Sequence, residues 1–303
     1  MSSPLPVTWN RSPDARQAAT AQASVALLTL LLTSILYGCT AADTTAPAAA
    51  SAARLPQASS VYPPSSYNVT LIAGEGVFED VSGKNLIVGM MNGLAVAMPL
   101  GGTLYNLPLG PGQWSHARGV NNPGQIVGTL NLGTLAAPKL VPAYWPGVTS
   151  APVILGYPGE AMDINDHGLV VATISRGVRT YGVVWDQGGL VGTPLTILPP
   201  LPGGRSTKAY AINNDWVIVG ESESPTGWAP VIWLKSGSGW APKLVTGGIV
   251  GYDIDAGVGI VGRTSNRAAF GDPNHAGYFA TLGPSTAWAV NDRGVATGDD
   301  AGS

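Results

Sequence analysis

The sequence predicts an all-β protein of the β-propeller class, and two observations support this prediction. First, an Asn followed at the seventh position by Gly recurs along the chain, and the clearest copy lies between Ala209 and Gly220. Successive copies start 39, 44, 48, 42 and 36 residues apart, and four-stranded propeller blades repeat every ~40–45 residues. Second, the chain of 303 residues contains 41 Gly, 25 Pro and 9 Trp, a composition that fits short strands joined by many turns.

Six copies of the pattern divide the chain into six units. Each copy is anchored on an Asn or on a Ser or Asp in its place: Ser82, Asn121, Asn165, Asn213, Asp255 and Asn291. We therefore predict a six-bladed propeller over residues 67–303, in which the last blade is incomplete because residues 285–303 hold only two strands. We expect residues 67–72 to supply a closing strand, since propellers protect their edges by pairing the two ends of the chain.

Each complete unit is interpreted as four short strands. The anchor is followed by a tight turn, as in Asp166-His167-Gly168, where Gly is expected to take a positive φ three residues after the anchor. The second strand is a continuous apolar run, which predicts burial on both faces. In the middle units the third strand ends in an aromatic residue. In the first unit Ala97-Met98 takes this place, and in the fifth unit Tyr278-Phe279 takes it.

Two sets of repeated residues are expected to be structural. The tryptophans at the ends of third strands are predicted to form core between blades, with a ligand platform as the alternative; they are Trp145, Trp185 and Trp233. The anchor asparagines are expected to hold their turns, because an Asn side chain accepts hydrogen bonds from a turning backbone; they are Asn121, Asn165, Asn213 and Asn291.

The repeat resembles a known family. The pattern Ala-x-x-Ile-Asn-x-x-Gly-x-Val-Val-Gly, followed by Ala-x-x-Trp and a Leu-containing strand, is similar to the HAF family of extracellular repeats, and the resemblance covers residues 75–300 approximately. The units anchored on Asn165 and Asn213 carry it best. The resemblance implies an exported β-protein built from repeats, and it implies no reaction.

The first 66 residues differ from the rest of the chain. An apolar run of about 14 residues begins at Val25, which is too short to span a bilayer but suits a secretory signal. It ends in Leu36-Tyr37-Gly38-Cys39, which resembles the lipobox of bacterial lipoproteins. The resemblance implies that residues 1–38 form a signal peptide, that Cys39 is acylated, and that Thr40 directs the protein to the outer membrane. The alternative is an ordinary buried Cys39 beside a cleaved signal.

The segment after Cys39 is predicted to be a tether. Residues 39–66 consist largely of Ala, Thr, Ser and Pro and contain few large apolar side chains. Such a segment cannot bury enough surface to offset the entropy of ordering, so we expect it to be flexible.

Composition excludes several classes of function. Only 11% of the residues are charged and the net charge is −3, so no basic field is available to bind nucleic acid. One Cys and three His exclude a disulfide framework and a Cys-rich metal site. The histidines, His116, His167 and His275, stand at unrelated repeat positions and indicate no shared site.

Two functions remain from the sequence. The favoured one is a non-catalytic surface module whose propeller face binds a glycan, a peptide or another envelope protein. The sequence does not separate this function from that of a purely structural envelope protein. The alternative is a secreted propeller enzyme, such as a glycan lyase or hydrolase, with its site at the mouth of the channel.

Three acidic residues form a candidate metal site. The position two residues before the anchor alternates between Asp and a small residue, with Asp80, Asp163 and Asp253 in units 1, 3 and 5. In a closed ring these carboxylates would converge on the channel, where their repulsion would favour a bound cation such as Ca²⁺. The alternative is that each Asp bonds only to its own turn.

The lipid anchor gives the first prediction. If Cys39 is acylated, the protein will sediment with membranes and incorporate radiolabelled fatty acid in a Gram-negative host, whereas Cys39→Ser will do neither. Several acyl chains are needed for stable retention, because a single chain binds a membrane only weakly. Soluble, unlabelled wild-type protein would contradict the prediction.

Overall fold

The computed structural model describes residues 7–9, 72, 74–187, 195–245, 250–257, 259–264, 267–271, 279–283, 285–290 and 296–300. The chain divides into two compact units, Met1–Trp9 with Asn68–Ser303 and, separately, Asn10–Tyr67. The second of these lies outside the described residues, so Cys39, the apolar run and the tether remain predictions. Within the described ranges the fold is all-β, and no helix there could span a membrane.

The strands form antiparallel sheets that follow the order of the repeat units, which confirms a propeller-like all-β fold. Each of the first five units is a four-stranded sheet whose strands pair in chain order. Units 1 and 2 contain β2 (Gly76–Val81), β3 (Leu86–Met91), β4 (Leu94–Pro99), β5 (Tyr105–Asn106), β6 (Trp114–Val120), β7 (Ile126–Asn131), β8 (Leu140–Trp145) and β9 (Val153–Ile154). Unit 3 contains β10 (Gly159–Ile164), β11 (Leu169–Arg176), β12 (Arg179–Asp186) and β13 (Leu195–Ile197).

The later units continue the same order. Unit 4 contains β14 (Thr207–Ile212), β15 (Val217–Ser224), β16 (Gly227–Ser236) and β17 (Gly239–Leu244). Unit 5 contains β18 (Val250–Ile254), β19 (Ile260–Thr264), β20 (Arg267–Gly271) and β21 (Phe279–Gly283). Unit 6 is a three-stranded sheet of β22 (Ser285–Val290), β23 (Ala296–Asp300) and β1 (Val7–Trp9).

One strand assignment from the sequence is wrong. The third strand of unit 5 is β20, and Phe279 begins the fourth strand instead of ending the third. The reason is that β20 begins at Arg267, three residues after the end of β19, and pairs antiparallel with it, so that Gly262 lies opposite Ala269. The aromatic residue of this third strand is therefore Phe270, eight residues earlier than Tyr278.

The sixth sheet is closed by a strand from the start of the chain. Val7–Trp9 pairs with β23, and it lies within the segment predicted to be a signal peptide. Removal of residues 1–38 would remove this strand and leave the β22–β23 hairpin. Residues 67–71 of the expected closing strand lie outside the described residues, and Ile72 is not in a strand. The count of six blades thus stays a prediction.

The hydrophobic core lies between neighbouring sheets. Four buried clusters each combine side chains of two successive units, from units 1 and 2 to units 4 and 5. Trp145, Trp185 and Trp233 are 0%, 5% and 0% exposed, which is the placement expected of core between blades. The indole N–H groups of Trp145 and Trp233 donate to the carbonyls of Pro108 and Pro199, at 2.8 and 2.7 Å.

Replacement of Trp233 tests this packing. Trp233→Ala should lower the free energy of unfolding by about 3–5 kcal/mol, because it removes a fully buried ring and leaves a cavity. The matched control is Trp228→Ala on the same strand, where the side chain is 46% exposed and the expected cost is under about 1 kcal/mol. Urea unfolding measures both, and equal costs for the two variants would contradict the assignment.

Candidate functional site at the inner strands

The anchor side chains organise the turn at the end of each first strand. In unit 3, Oδ1 of Asn165 accepts hydrogen bonds from the backbone N–H groups of His167 and Leu169, at 3.1 and 3.0 Å. In unit 4, Oδ1 of Asn213 accepts the equivalent bonds from Asp215 and Val217, at 3.1 and 2.9 Å. The anchor therefore caps its own turn.

The same asparagines also join one unit to the next. Nδ2 donates to the backbone carbonyl of the following anchor: Asn121 to Asn165 at 2.9 Å, Asn165 to Asn213 at 3.1 Å and Asn213 to Asp255 at 3.0 Å. An amide is suited to this position because it carries an acceptor and a donor together. We call this series the anchor ladder; the fourth predicted asparagine, Asn291, lies outside the described residues.

The turns surround a small polar opening. Its volume is about 150 Å³, and its wall includes the anchors of units 1 to 4 and residues beside them. Asp166 holds the rim, since its carboxylate accepts from the backbone and side chain of Asn122, both at 2.8 Å, and from Nδ2 of Asn214 at 3.1 Å. Pockets for small molecules are typically ~300–1,000 Å³. This end of the molecule is therefore a structural rim and a poor candidate for the ligand site.

A β-bulge interrupts the first strand of every unit. The pairing of first and second strands shifts register three residues before the anchor, for example between Ala161 and Asp163 in unit 3 and between Ala209 and Ala211 in unit 4. The same shift occurs in the other four units. We call the residues at this position the bulge residues: Glu79, Arg118, Met162, Tyr210, Tyr252 and Trp288.

The three predicted acidic residues follow the bulge residues in alternate units. One oxygen of each carboxylate accepts from the next backbone N–H in its own strand, at 2.7 or 2.8 Å. The other oxygen reaches the neighbouring unit: Asp80 accepts from Val120, Asp163 from Ile212 and Asp253 from Val290, each at 2.8 Å. The alternative of a purely local turn contact thus describes only one of the two bonds.

Small residues in the intervening units leave space for these carboxylates. Gly119, at the equivalent position in unit 2, has the backbone of Asp163 beside it, and a Cβ there would lie 3.0 Å from the Asp163 Cα. The same position is Ala211 in unit 4 and Ala289 in unit 6. In unit 2 the small residue is therefore required by the close approach of Asp163. We call the space that the first strands surround the channel.

Burial raises the pKa of all three carboxyl groups, and repulsion from nearby carboxylates adds to each shift. Burial raises the pKa of Asp163 to about 8, and the charges of Asp80 and Asp253 contribute in the same direction. Burial likewise raises the pKa of Asp253 to about 7 and that of Asp80 above its ordinary value. The backbone hydrogen bonds oppose these shifts without cancelling them.

The hydrogen bonds account for all six carboxylate oxygens without a cation. Among the described residues, no three His, Cys, Asp or Glu side chains are grouped so that they could hold a metal ion. The Ca²⁺ site at Asp80, Asp163 and Asp253 stays a prediction.

The bulge residues of units 4 to 6 form a row of aromatic rings. The ring centroids of Tyr210 and Tyr252 are 5.8 Å apart, and those of Tyr252 and Trp288 are 5.0 Å apart. Trp288 is 51% exposed, and the two tyrosines are partly buried. The hydroxyl of Tyr210 donates to Glu221 at 2.6 Å, which fixes the ring at the end of the row.

The bulge residues of units 1 and 2 are charged and paired. Glu79 lies 2.8 Å from Nε2 of His116, and Arg118 lies 2.9 Å from Glu160. The hydrogen bond from His116 lowers the pKa of Glu79. The other two histidines do not belong to these pairs. The ring centroids of His167 and Trp216 are 5.7 Å apart, and His275 lies outside the described residues.

Sequence reasoning selected the position of the three aspartates and missed the position beside it. No single residue type recurs at all six bulge positions, so the repeat pattern does not mark them. The sequence does carry a signal for this position, which is its variation between units. The residue changes from acidic to basic to aromatic, while the residues on either side of it repeat.

No family model matches the chain, and no relative is found among curated proteins. The resemblance to HAF repeats therefore stays a prediction that depends on the repeat pattern itself.

The channel carboxyl groups predict how stability depends on pH. The folded-state pKa of Asp163 and Asp253 lies above the unfolded value of about 3.9, so the folded protein holds more protons than the unfolded chain between about pH 4 and 8. The resulting stabilisation is present at low pH and is lost as the pH rises through 7 and 8. The loss is at most about 1.4 kcal/mol per pH unit for each proton.

Thermal unfolding of the wild type and of Asp163→Asn between pH 5 and 8 measures this dependence. We expect the midpoint of the wild type to fall across the range and the midpoint of the variant to fall less. Both proteins retain the Glu79–His116 pair. The difference between their pH dependences therefore reports the contribution of Asp163. A wild-type midpoint that rises with pH would contradict the assigned shifts.

Proposed function

We propose that this protein is an exported, lipid-anchored β-propeller lipoprotein that acts as a non-catalytic binding module at the bacterial cell envelope. The observation that supports it best is that the first strands of the six units share a backbone geometry but differ in one side chain. Six equivalent positions have the same bulged backbone, yet they carry five different residue types, from Glu79 and Arg118 to Trp288. A fixed scaffold that presents varied side chains on strands is an arrangement suited to a binding surface.

The chemistry of the bulge residues favours binding over catalysis. A general base needs a pKa near the working pH, but burial, followed by the hydrogen bond and charge of Glu221, raises the pKa of Tyr210. The pKa of Glu79 is shifted the other way, down from its ordinary value. Neither group is prepared to exchange a proton at neutral pH.

An enzyme that acts on glycans is the second candidate, and one observation favours it. The pKa values of Asp163 and Asp253, about 8 and about 7, lie in the range that a general acid needs. However, both oxygens of each carboxyl group already accept backbone hydrogen bonds. A proton transfer to substrate would have to disturb the bonds that hold neighbouring units together, so binding is the better-supported function.

The proposed location follows from the segment that precedes the repeat units. Acylated Cys39 would insert in the membrane, and residues 40–66 would let the propeller reach a partner on the cell surface. The partner class is an envelope glycan or an envelope protein. The net charge of −3 and the low content of charged residues give no support to a nucleic-acid partner.

Binding without turnover is the testable outcome. Full-length protein in mild detergent is mixed with envelope polysaccharide or with solubilised envelope protein, and its melting temperature and any released sugar fragments are measured. We expect a higher melting temperature with one fraction and no fragments. The double variant Arg118→Ala with Tyr252→Ala should lose the shift, because it truncates two bulge residues.

The matched control is Tyr105→Ala with Tyr157→Ala, which removes two exposed rings at 45% and 38% exposure from other strands and loops. This control should keep the shift. No shift with either fraction would overturn the binding function, and repeated cleavage of the polysaccharide would favour the enzyme.

A further inference from the structure

The aromatic row at the inner strands continues outward across unit 4. Lys208, on the first strand, pairs in register with Glu221, which pairs in turn with Pro230 on the third strand. Because paired residues of a sheet share one face, these side chains extend the surface that begins at Tyr210. Trp228 lies two residues before Pro230 and therefore points to the same face.

A polar group links the inner rings to this outer ring. The carboxylate oxygen of Glu221 that accepts from the Tyr210 hydroxyl lies 3.7 Å from the ammonium nitrogen of Lys208. The same ammonium nitrogen lies 4.6 Å from the centroid of the Trp228 ring. The two ends of the series, Trp288 and Trp228, are the most exposed, at 51% and 46%.

We call this set the aromatic strip, and it consists of Trp288, Tyr252, Tyr210, Glu221, Lys208 and Trp228. It differs from an ordinary apolar patch because a phenol, a carboxylate and an ammonium group interrupt the rings. Its charge is balanced, with one Lys against one Glu in contact. A matching ligand has apolar faces that pack on rings, hydroxyl groups that bond at the edges, and no large net charge.

We propose that the aromatic strip binds a neutral oligosaccharide chain. This inference rests on the proposed binding function and names its ligand class. The C–H faces of pyranose rings pack on Trp288, Tyr252 and Trp228, while sugar hydroxyls bond to Glu221 and Lys208. An anionic glycan is disfavoured because the single ammonium group of the strip is already paired with Glu221.

The strip is prepared for binding before the ligand arrives. Tyr210 and Tyr252 contact each other and lie on first strands, and the Tyr210 hydroxyl is already bonded. Aromatic side chains have only two side-chain torsions, so they lose little entropy when a ligand packs on them. A row of fixed rings along several strands favours an extended chain of sugars over a single sugar.

Titration of the full-length protein with defined oligosaccharides tests the inference. The probes are cellohexaose and chitohexaose as neutral chains and an oligogalacturonate of the same length as the anionic chain. Tryptophan fluorescence and calorimetry measure binding. We expect a neutral chain to bind, a matching monosaccharide to bind at least about tenfold more weakly, and the anionic chain to show no binding.

Variants separate a ring-packing role from a general effect on folding. Trp288→Ala and Trp228→Ala should each weaken the neutral chain about tenfold, whereas Trp288→Phe should retain most of the affinity because it keeps a ring. Tyr105→Ala is the control at an exposed ring outside the strip and should bind as the wild type. Near-UV circular dichroism confirms that each variant is folded.

The outcomes distinguish this inference from the function on which it rests. Binding of a neutral chain that Trp288→Ala and Trp228→Ala leave unchanged would overturn the strip as the site. Failure to bind both neutral chains, together with a melting shift from solubilised envelope protein, would overturn the glycan ligand and leave the binding module intact. Failure with every probe and every envelope fraction would overturn both.

Discussion

The structure depends on a single side-chain amide that performs two roles in each middle unit. Its oxygen caps the turn of its own unit, and its nitrogen donates to the next anchor carbonyl, as Asn165 does toward Asn213. Both anchors are almost fully buried, so a lost donor would leave a buried carbonyl without this partner, at a cost of about 1–3 kcal/mol. An Asp at these positions would keep the cap and lose the link. Ser82 in unit 1 and Asp255 in unit 5 stand on either side of these asparagines, and each still accepts a bond at its own turn.

Because the anchors and glycines specify the backbone, the neighbouring bulge position is left free to vary. Gly128 and Gly220 lie opposite the bulge, and a Cβ at either would overlap the backbone carbonyl of His116 or Lys208. The repeated glycine is therefore a consequence of the close approach of the two strands. The bulge residue itself has no such restriction, which is why one scaffold can carry Arg118 in one unit and Trp288 in another.

The repeat pattern predicted the strand order and the buried tryptophans, since both follow from local spacing and apolar runs. It also located the left-handed turn position, where Gly168 has a φ of 79° and Trp216 keeps the same conformation at 63° despite its bulk. The repeat pattern could not predict the bulges, because a register shift depends on how two strands pair in space. Nor could it show that Val120 and Ile212 donate to carboxylates of neighbouring units, or that a short hairpin moves the third strand of unit 5, since these depend on pairing in space.

Two kinds of link join neighbouring units along the described first strands, and together they need an acidic residue only in every second unit. Carboxylates join units 1 to 2, 3 to 4 and 5 to 6, while anchor asparagines join 2 to 3, 3 to 4 and 4 to 5. Every step from unit 1 to unit 6 thus has at least one side-chain bond to a neighbouring backbone. Carboxylates in all six units would crowd more like charges into a space where the charge of Asp80 already raises the pKa of Asp163 and Asp253. Neutral amides supply the remaining steps without that repulsion, so each step from unit 1 to unit 6 is linked while only three of the six first strands carry a carboxylate at this position.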